Sequence, residues 1–186
     1  TLLPVAIPLS AICQKFTVSH VHMRSRQALS GAGWRLLYDQ EALNGNHDKS
    51  IPGEAEKITA ELLHIFAQAQ DDNTSSATFT TDIQCQRVSR KDGHLVLMEL
   101  TTEKAITVEE VHEAIINFNQ NSSLNSAPSS PLKPIHLVDE IDTKAHLWSD
   151  GENFSNHPNP SENLKTGMAI VVSNIEVHEG NKLHFS

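Results

Sequence analysis

From Leu2 to Leu9 nearly every position is apolar, and the run continues through Ala11, Ile12 and Phe16. It predicts a buried helix over Val5 to Phe16 in spite of Pro8, because no polar stripe interrupts it. Thr17-Val18-Ser19-His20-Val21-His22-Met23 then alternates with a period of two, the signature of a strand. After Ser30-Gly31-Ala32-Gly33 the spacing returns to that of a helix, from Trp34 to Leu43, and Asn44-Gly45-Asn46 ends it. Pro52 to Ala69 reads as a further helix with Ile58, Leu62, Ile65 and Phe66 on one stripe, and Asp71 to Ser76 as a surface turn.

Period-two segments come back as Thr78 to Ser89 and His94 to Thr101, joined by the short loop Arg90 to Gly93. The proximity of the two predicts a β-hairpin. Thr107-Val108-Glu109-Glu110 then opens a helix running to Phe118, in the pattern where a hydroxyl and a carboxylate satisfy free backbone amides. Asn119 to Pro134 and Ser149 to Thr166, rich in Asn, Ser and Pro, read as long loops around one apolar segment, Ile135 to Ile141. Met168 to Val172 and Lys182 to Phe185 read as neighbouring strands. Helices first and hairpins later predict an α+β domain, with one mixed, largely antiparallel sheet covered by helices.

At 186 residues the chain fits a single domain, 1–186, able to bury roughly 70% of the surface its unfolded form exposes. The abrupt apolar start and the strand-like end predict a piece of a longer protein. A net charge of -9 disfavours a nucleic acid or an anionic membrane as partner. With two cysteines, no basic-then-apolar leader and no long apolar run, the expectation is a cytoplasmic protein without disulfides or membrane spans.

The chemistry concentrates in three segments. If the expected hairpin closes symmetrically about Arg90 and Lys91, Arg87 opposes His94 on one face, with Cα atoms about 5 Å apart. A guanidinium grips a carboxylate or phosphate through parallel hydrogen bonds, and an imidazole moves a proton near neutral pH. Spacing alone leaves open that both are merely solvated hairpin residues. Gln27 precedes the glycine-containing turn, which lacks the third glycine of a dinucleotide loop because Leu36 stands there, so a packing turn presenting Gln27 is expected. Glu54 and Lys57, three apart at a helix start, can share a face and hold a zwitterion, or form an ordinary surface pair. His20 and His22 share a strand face, but no third ligand of suitable spacing accompanies them, and no metal site is expected. Cys13 sits in an apolar run with nothing to activate it, and the depth expected for Cys85 in the sheet argues against a reactive thiolate.

In this order, the apolar opening, Gln27 to Gly33, Glu54 to Lys57, Arg87 to His94 and the last strand region from Gly167 resemble the C-terminal catalytic and dimerisation domain of aspartate-semialdehyde dehydrogenase. The resemblance implies the fold of the glyceraldehyde-3-phosphate dehydrogenase C-terminal domain. It implies a cysteine thiolate just ahead of Thr1, a thioester formed on it, and NADP held mainly by an N-terminal domain outside this chain. The reaction implied is reduction of β-aspartyl phosphate to the semialdehyde, in the biosynthesis of lysine, threonine and methionine. Residue by residue, His94 is implied as the acid/base, Gln27 as the group orienting the acyl intermediate, and Arg87 as the clamp on the substrate carboxylate. Glu54 would bind the substrate amino group and Lys57 the phosphate. The resemblance also implies a homodimer through the sheet, whose surface is expected to be too apolar to leave bare.

The chain departs from the family pattern at Ser89-Arg90, at Leu95, at Arg26 and at Ser173-Asn174-Ile175-Glu176. A non-catalytic paralogue serving as a dimerisation or scaffold module is therefore the alternative.

Overall fold

The computed structural model describes residues 1–70, 73–75, 77–121, 133–141 and 170–186, without side chains for 68–76. Its elements in chain order are α1 (Leu3–Cys13), β1 (Val18–Gln27), α2 (Trp34–Leu37), α3 (Gln40–Leu43), α4 (Glu54–Ile65), β2 (Gln68–Gln70), β3 (Asn73–Ser75), β4 (Thr80–Arg87), β5 (Leu95–Thr102), α5 (Val108–Asn121), β6 (Ile135–Leu137), β7 (Ile170–Val172), β8 (Glu176–His178) and β9 (Lys182–Phe185). The expected loop at 149–166 and residues 168–169 of the expected strand lie outside the described residues.

Five strands form the main sheet in the order β4-β1-β5-β9-β8. Only the β1–β4 pair is parallel; the other neighbours run antiparallel. This is the expected α+β class with a mixed, mostly antiparallel sheet. On β1 the odd positions Val21, Met23, Ser25 and Gln27 are buried while His20, His22, Arg24 and Arg26 face outward, so the pleat sends alternate side chains to a core and to an open face. Val5, Leu9 and Ile12 of α1, Ile58 and Leu62 of α4, and Val111, Ile115 and Phe118 of α5 fill the core against Val21, Met23, Met98, Leu100 and Leu183.

α1 is buried on most sides, at Val5, Ala6, Pro8, Leu9, Ala11 and Ile12, which is why it needs no amphipathic stripe. Pro4 sits in its first turn, where the missing N–H costs nothing. α5 opens as expected: the Glu110 amide donates to Thr107 Oγ1 at 3.2 Å, and the Thr107 amide donates to Glu110 Oε2 at 3.0 Å.

Several expectations are corrected. β4 and β5 do not form a hairpin, because β1 lies between them and pairs with both. Alternation marks a strand but does not name its neighbour. The strand expected to end at Met23 runs on to Gln27, its last inward positions being the polar Ser25 and Gln27. The single helix expected from Trp34 to Leu43 is two short ones, since Asp39 is extended and caps α3 by accepting from the Glu41 and Ala42 amides. α4 stops at Ile65, and Gln68–Gln70 pairs with Asn73–Ser75 where a helix end and a turn were expected. Ile170–Val172 pairs with β6 rather than with Lys182–Phe185; just beyond the two strands, Ser173 and Ser186 exchange reciprocal backbone bonds. The open sheet face is polar, carrying His20, His22, Arg24, Arg26, Asp82 and Glu99, so it is not the apolar surface anticipated.

Candidate functional site

Gln27 and Arg87 are register partners at the ends of the parallel strands β1 and β4, and both point to the core side. The chain then leaves β4 and passes over the end of β1. Backbone bonds from the Leu29 amide to the Arg90 carbonyl, 2.8 Å, and from the Ser30 amide to the Lys91 carbonyl, 3.0 Å, hold this crossing against the turn after β1. His94 therefore arrives on the flank of β1 opposite Arg87. A Cβ placed on Gly31 would lie 3.2 Å from Arg87 Nη1, 3.5 Å from His94 Cε1 and 3.7 Å from His94 Nε2, so the guanidinium and imidazole converge over a glycine that leaves room for them.

Arg87 is 9% exposed and donates from Nη1 to the Ala28 carbonyl at 2.9 Å. A buried guanidinium with a single neutral acceptor retains donors for an anion. His94 is half-buried and accepts at Nδ1 from the Ala28 amide at 3.4 Å, which leaves the proton of the neutral ring on Nε2. Burial holds its pKa below the ordinary imidazole range; the Gly93 backbone opposes the shift, the Arg87 guanidinium reinforces it, and Glu54 opposes it. The ring is neutral at pH 7 and can take up a proton.

Gln27, 4% exposed, donates from Nε2 to Ser25 Oγ at 3.2 Å and to Glu54 Oε1 at 3.3 Å. Thr1 Oγ1 donates to the same Glu54 oxygen at 3.2 Å. Glu54 sits in the first turn of α4 behind Gly53, whose φ of 77° suits a glycine, and the helix start favours its negative charge. The first residue of the chain thus joins Gln27, Glu54, Arg87 and His94 in one cluster. Lys57 is not brought in: its side chain is 64% exposed and its Nζ lies 4.0 Å from Glu61 Oε1, one turn along α4.

Sequence reasoning missed Ser25, Thr1 and the Ala28 backbone, which supports both Arg87 and His94. Continuing the alternation of β1 past Met23 would have found Ser25. Cys85 faces the cluster, but its thiol is raised above the usual range, first by burial and also by the Glu54 carboxylate, with Ser25 and Gln27 opposing; burial pushes Cys13 to about 11. Neither is a ready nucleophile. His20 and His22 are bonded to Thr80 Oγ1 at 2.7 Å and Asp82 Oδ2 at 2.8 Å, and no three-ligand metal cluster occurs among the described residues. Leu29–Ala32 forms a single 3-10 turn that leads through Gly33 into a four-residue helix, which does not fit a dinucleotide cradle.

The chain is 28% identical over 92% of its length to an aspartate-semialdehyde dehydrogenase of Methanothermobacter thermautotrophicus, and 30% identical over 74% to that of Trichophyton rubrum. The chain matches part of the aspartate-semialdehyde dehydrogenase family. It spans 46% and 40% of those two relatives, under half of each. A malonyl CoA reductase (NADP) of Metallosphaera sedula is 25% identical over 92% of the chain. Among solved structures, the Candida albicans aspartate semialdehyde dehydrogenase with NADP covers 96% of the chain at a TM-score of 0.67 and 21% identity, and aspartate semialdehyde dehydrogenase II of Vibrio cholerae covers 99% at 0.61 and 16%, which establishes the shared fold. No family model matches. Among the described residues no helix is long and apolar enough to cross a membrane.

Proposed function

We propose that this chain is the substrate-handling part of an aspartate-semialdehyde dehydrogenase, working with a cysteine just ahead of Thr1 and with NADP carried by other polypeptide. The observation that carries the proposal is the convergence of Arg87 and His94 over Gly31, beside Gln27, Glu54 and Thr1. Neutral His94 takes the thiol proton as the sulfur displaces phosphate from the acyl carbon, and, once the hydride that NADPH would supply has added to that carbon, returns a proton to the sulfur that leaves as the aldehyde carbonyl re-forms. Arg87 holds the substrate carboxylate with the donors that Ala28 does not use. Glu54 holds the amino group and Gln27 steadies the acyl group. The protein is further proposed to be a cytoplasmic homodimer through the open sheet face.

In the full-length protein, His94→Asn should lower turnover by about a hundredfold or more. An unchanged rate removes the assigned role. A second reading, a non-catalytic paralogue used as a dimerisation or scaffold module, is favoured by one observation, the outward Lys57 paired with Glu61. Any residue but cysteine at the position ahead of Thr1 decides for it.

A further inference from the structure

A glutamine side chain has two N–H donors and one acceptor oxygen, and the cluster uses those of Gln27 unequally. Nε2 donates to Ser25 Oγ at 3.2 Å and to Glu54 Oε1 at 3.3 Å, so both donors are spent within the chain. A carboxylate only accepts, which means that the nitrogen has to face Glu54 and the oxygen has to turn the other way. Among the described residues no group donates to Oε1, and this atom is not sealed off in the core. It is the one polar atom of Gln27 left for a substrate.

Ser25 is the less obvious member of this arrangement. It lies two residues before Gln27 on the same face of β1, 1% exposed and in register with Cys85 of β4, too deep to touch a substrate itself. Packing gives no reason for a hydroxyl there: Val21 and Met23, the inward positions that precede it, are apolar core residues. A buried hydroxyl costs stability unless it is bonded, and the bond that meets this one comes from Gln27. Held by Glu54 alone, the amide could pivot about a single contact; two acceptors on one nitrogen fix its plane.

We propose that Ser25 is a positioning residue: with Glu54 it takes both amide protons of Gln27, so that this side chain meets the substrate with its carbonyl oxygen alone. The proposal rests on the substrate-handling role of Gln27 given above and goes beyond it in two respects. Gln27 acts as an acceptor, so the part of the substrate that it meets carries a proton to donate. It offers no N–H to the oxygen on the acyl carbon, whose developing negative charge is met by other donors.

The test uses the full-length protein, isotope-labelled at glutamine nitrogen, with NMR of the side-chain amides and kcat/KM for β-aspartyl phosphate measured side by side. The Gln27 signals are those that vanish in Gln27→Met. Both Gln27 amide protons should be protected from exchange with water in the wild type, and Ser25→Ala should speed the exchange of one by about tenfold or more. Ser25→Thr, which keeps the hydroxyl, should keep both protected. Ser25→Ala should also lower kcat/KM by about tenfold or more, with most of it restored in Ser25→Thr. On a Gln27→Met background Ser25→Ala should lower kcat/KM no further, because the serine acts through that amide. Protection unchanged in Ser25→Ala, or an equal loss of kcat/KM from Ser25→Ala on both backgrounds, overturns the positioning role. An inactive wild type whose Gln27 protons still depend on Ser25 overturns the catalytic reading and leaves the hold of Ser25 on the amide standing.

Discussion

Arg87 and His94 meet over Gly31 although their strands share no hydrogen bond, because β1 runs between β4 and β5 and the chain steps over its end. The approach is set by the turn after β1, whose Ala28 carbonyl and amide hold one side chain each.

That relationship makes Gly31 a sensitive position. Gly31→Ala puts a methyl 3.2 Å from Arg87 Nη1 and 3.5 Å from His94 Cε1, with no left-handed backbone to strain. The guanidinium, the end of a flexible side chain, should move aside. We expect urea stability to change by less than about 1 kcal/mol and the KM of the full-length protein to rise by about tenfold. A stability loss without a change in KM would place the glycine in the fold alone.

His94 should also give stability a pH dependence. Its folded-state pKa is depressed, chiefly by burial, so the folded chain binds this proton less readily than the unfolded one. Above the unfolded imidazole value, ~6.5, the group has no effect; as pH falls through that value toward the lower folded one, its protonation favours unfolding and stability is lost. His94→Asn should therefore show a smaller fall in urea midpoint between about pH 7.5 and about pH 5.5 than the wild type. Equal falls would contradict the assigned shift.

Gln27→Ala removes the donor shared by buried Ser25 and Glu54. Ser25 Oγ loses this donor, while Glu54 Oε1 keeps Thr1, and the change should cost about 1–3 kcal/mol in denaturant unfolding. Gln27→Glu, which places a carboxylate against Glu54, should cost more at neutral pH than at about pH 4, where carboxyl groups protonate.

Thr107→Ala breaks one arm of the reciprocal cap on α5. A loss of about 1 kcal/mol is expected from chemical denaturation, with Thr107→Ser close to wild type. An equal loss for serine would point to the methyl group instead.

Part of the candidate site was readable because its members sit at local landmarks: Gln27 before a glycine turn, Glu54 at a helix start, His94 at a strand start. Lys57 shared the spacing of Glu54 but not its direction, since a separation of three leaves the angle between two helical side chains large enough for one to face the cluster and the other Glu61. Ser25 stayed hidden because an inward polar residue looks like the end of a strand.

The sequence by itself determined what local sterics and hydrogen bonding decide: the apolar run of α1, the cap at Thr107 and Glu110, the alternation of β1, β4 and β5. Tertiary structure alone decided which strands are neighbours, and with that the insertion of β1 between β4 and β5 and the convergence on Gly31. The reason is physical: the period of a strand assigns each side chain to a face, whereas pairing is chosen by the packing of the whole sheet against α1, α4 and α5.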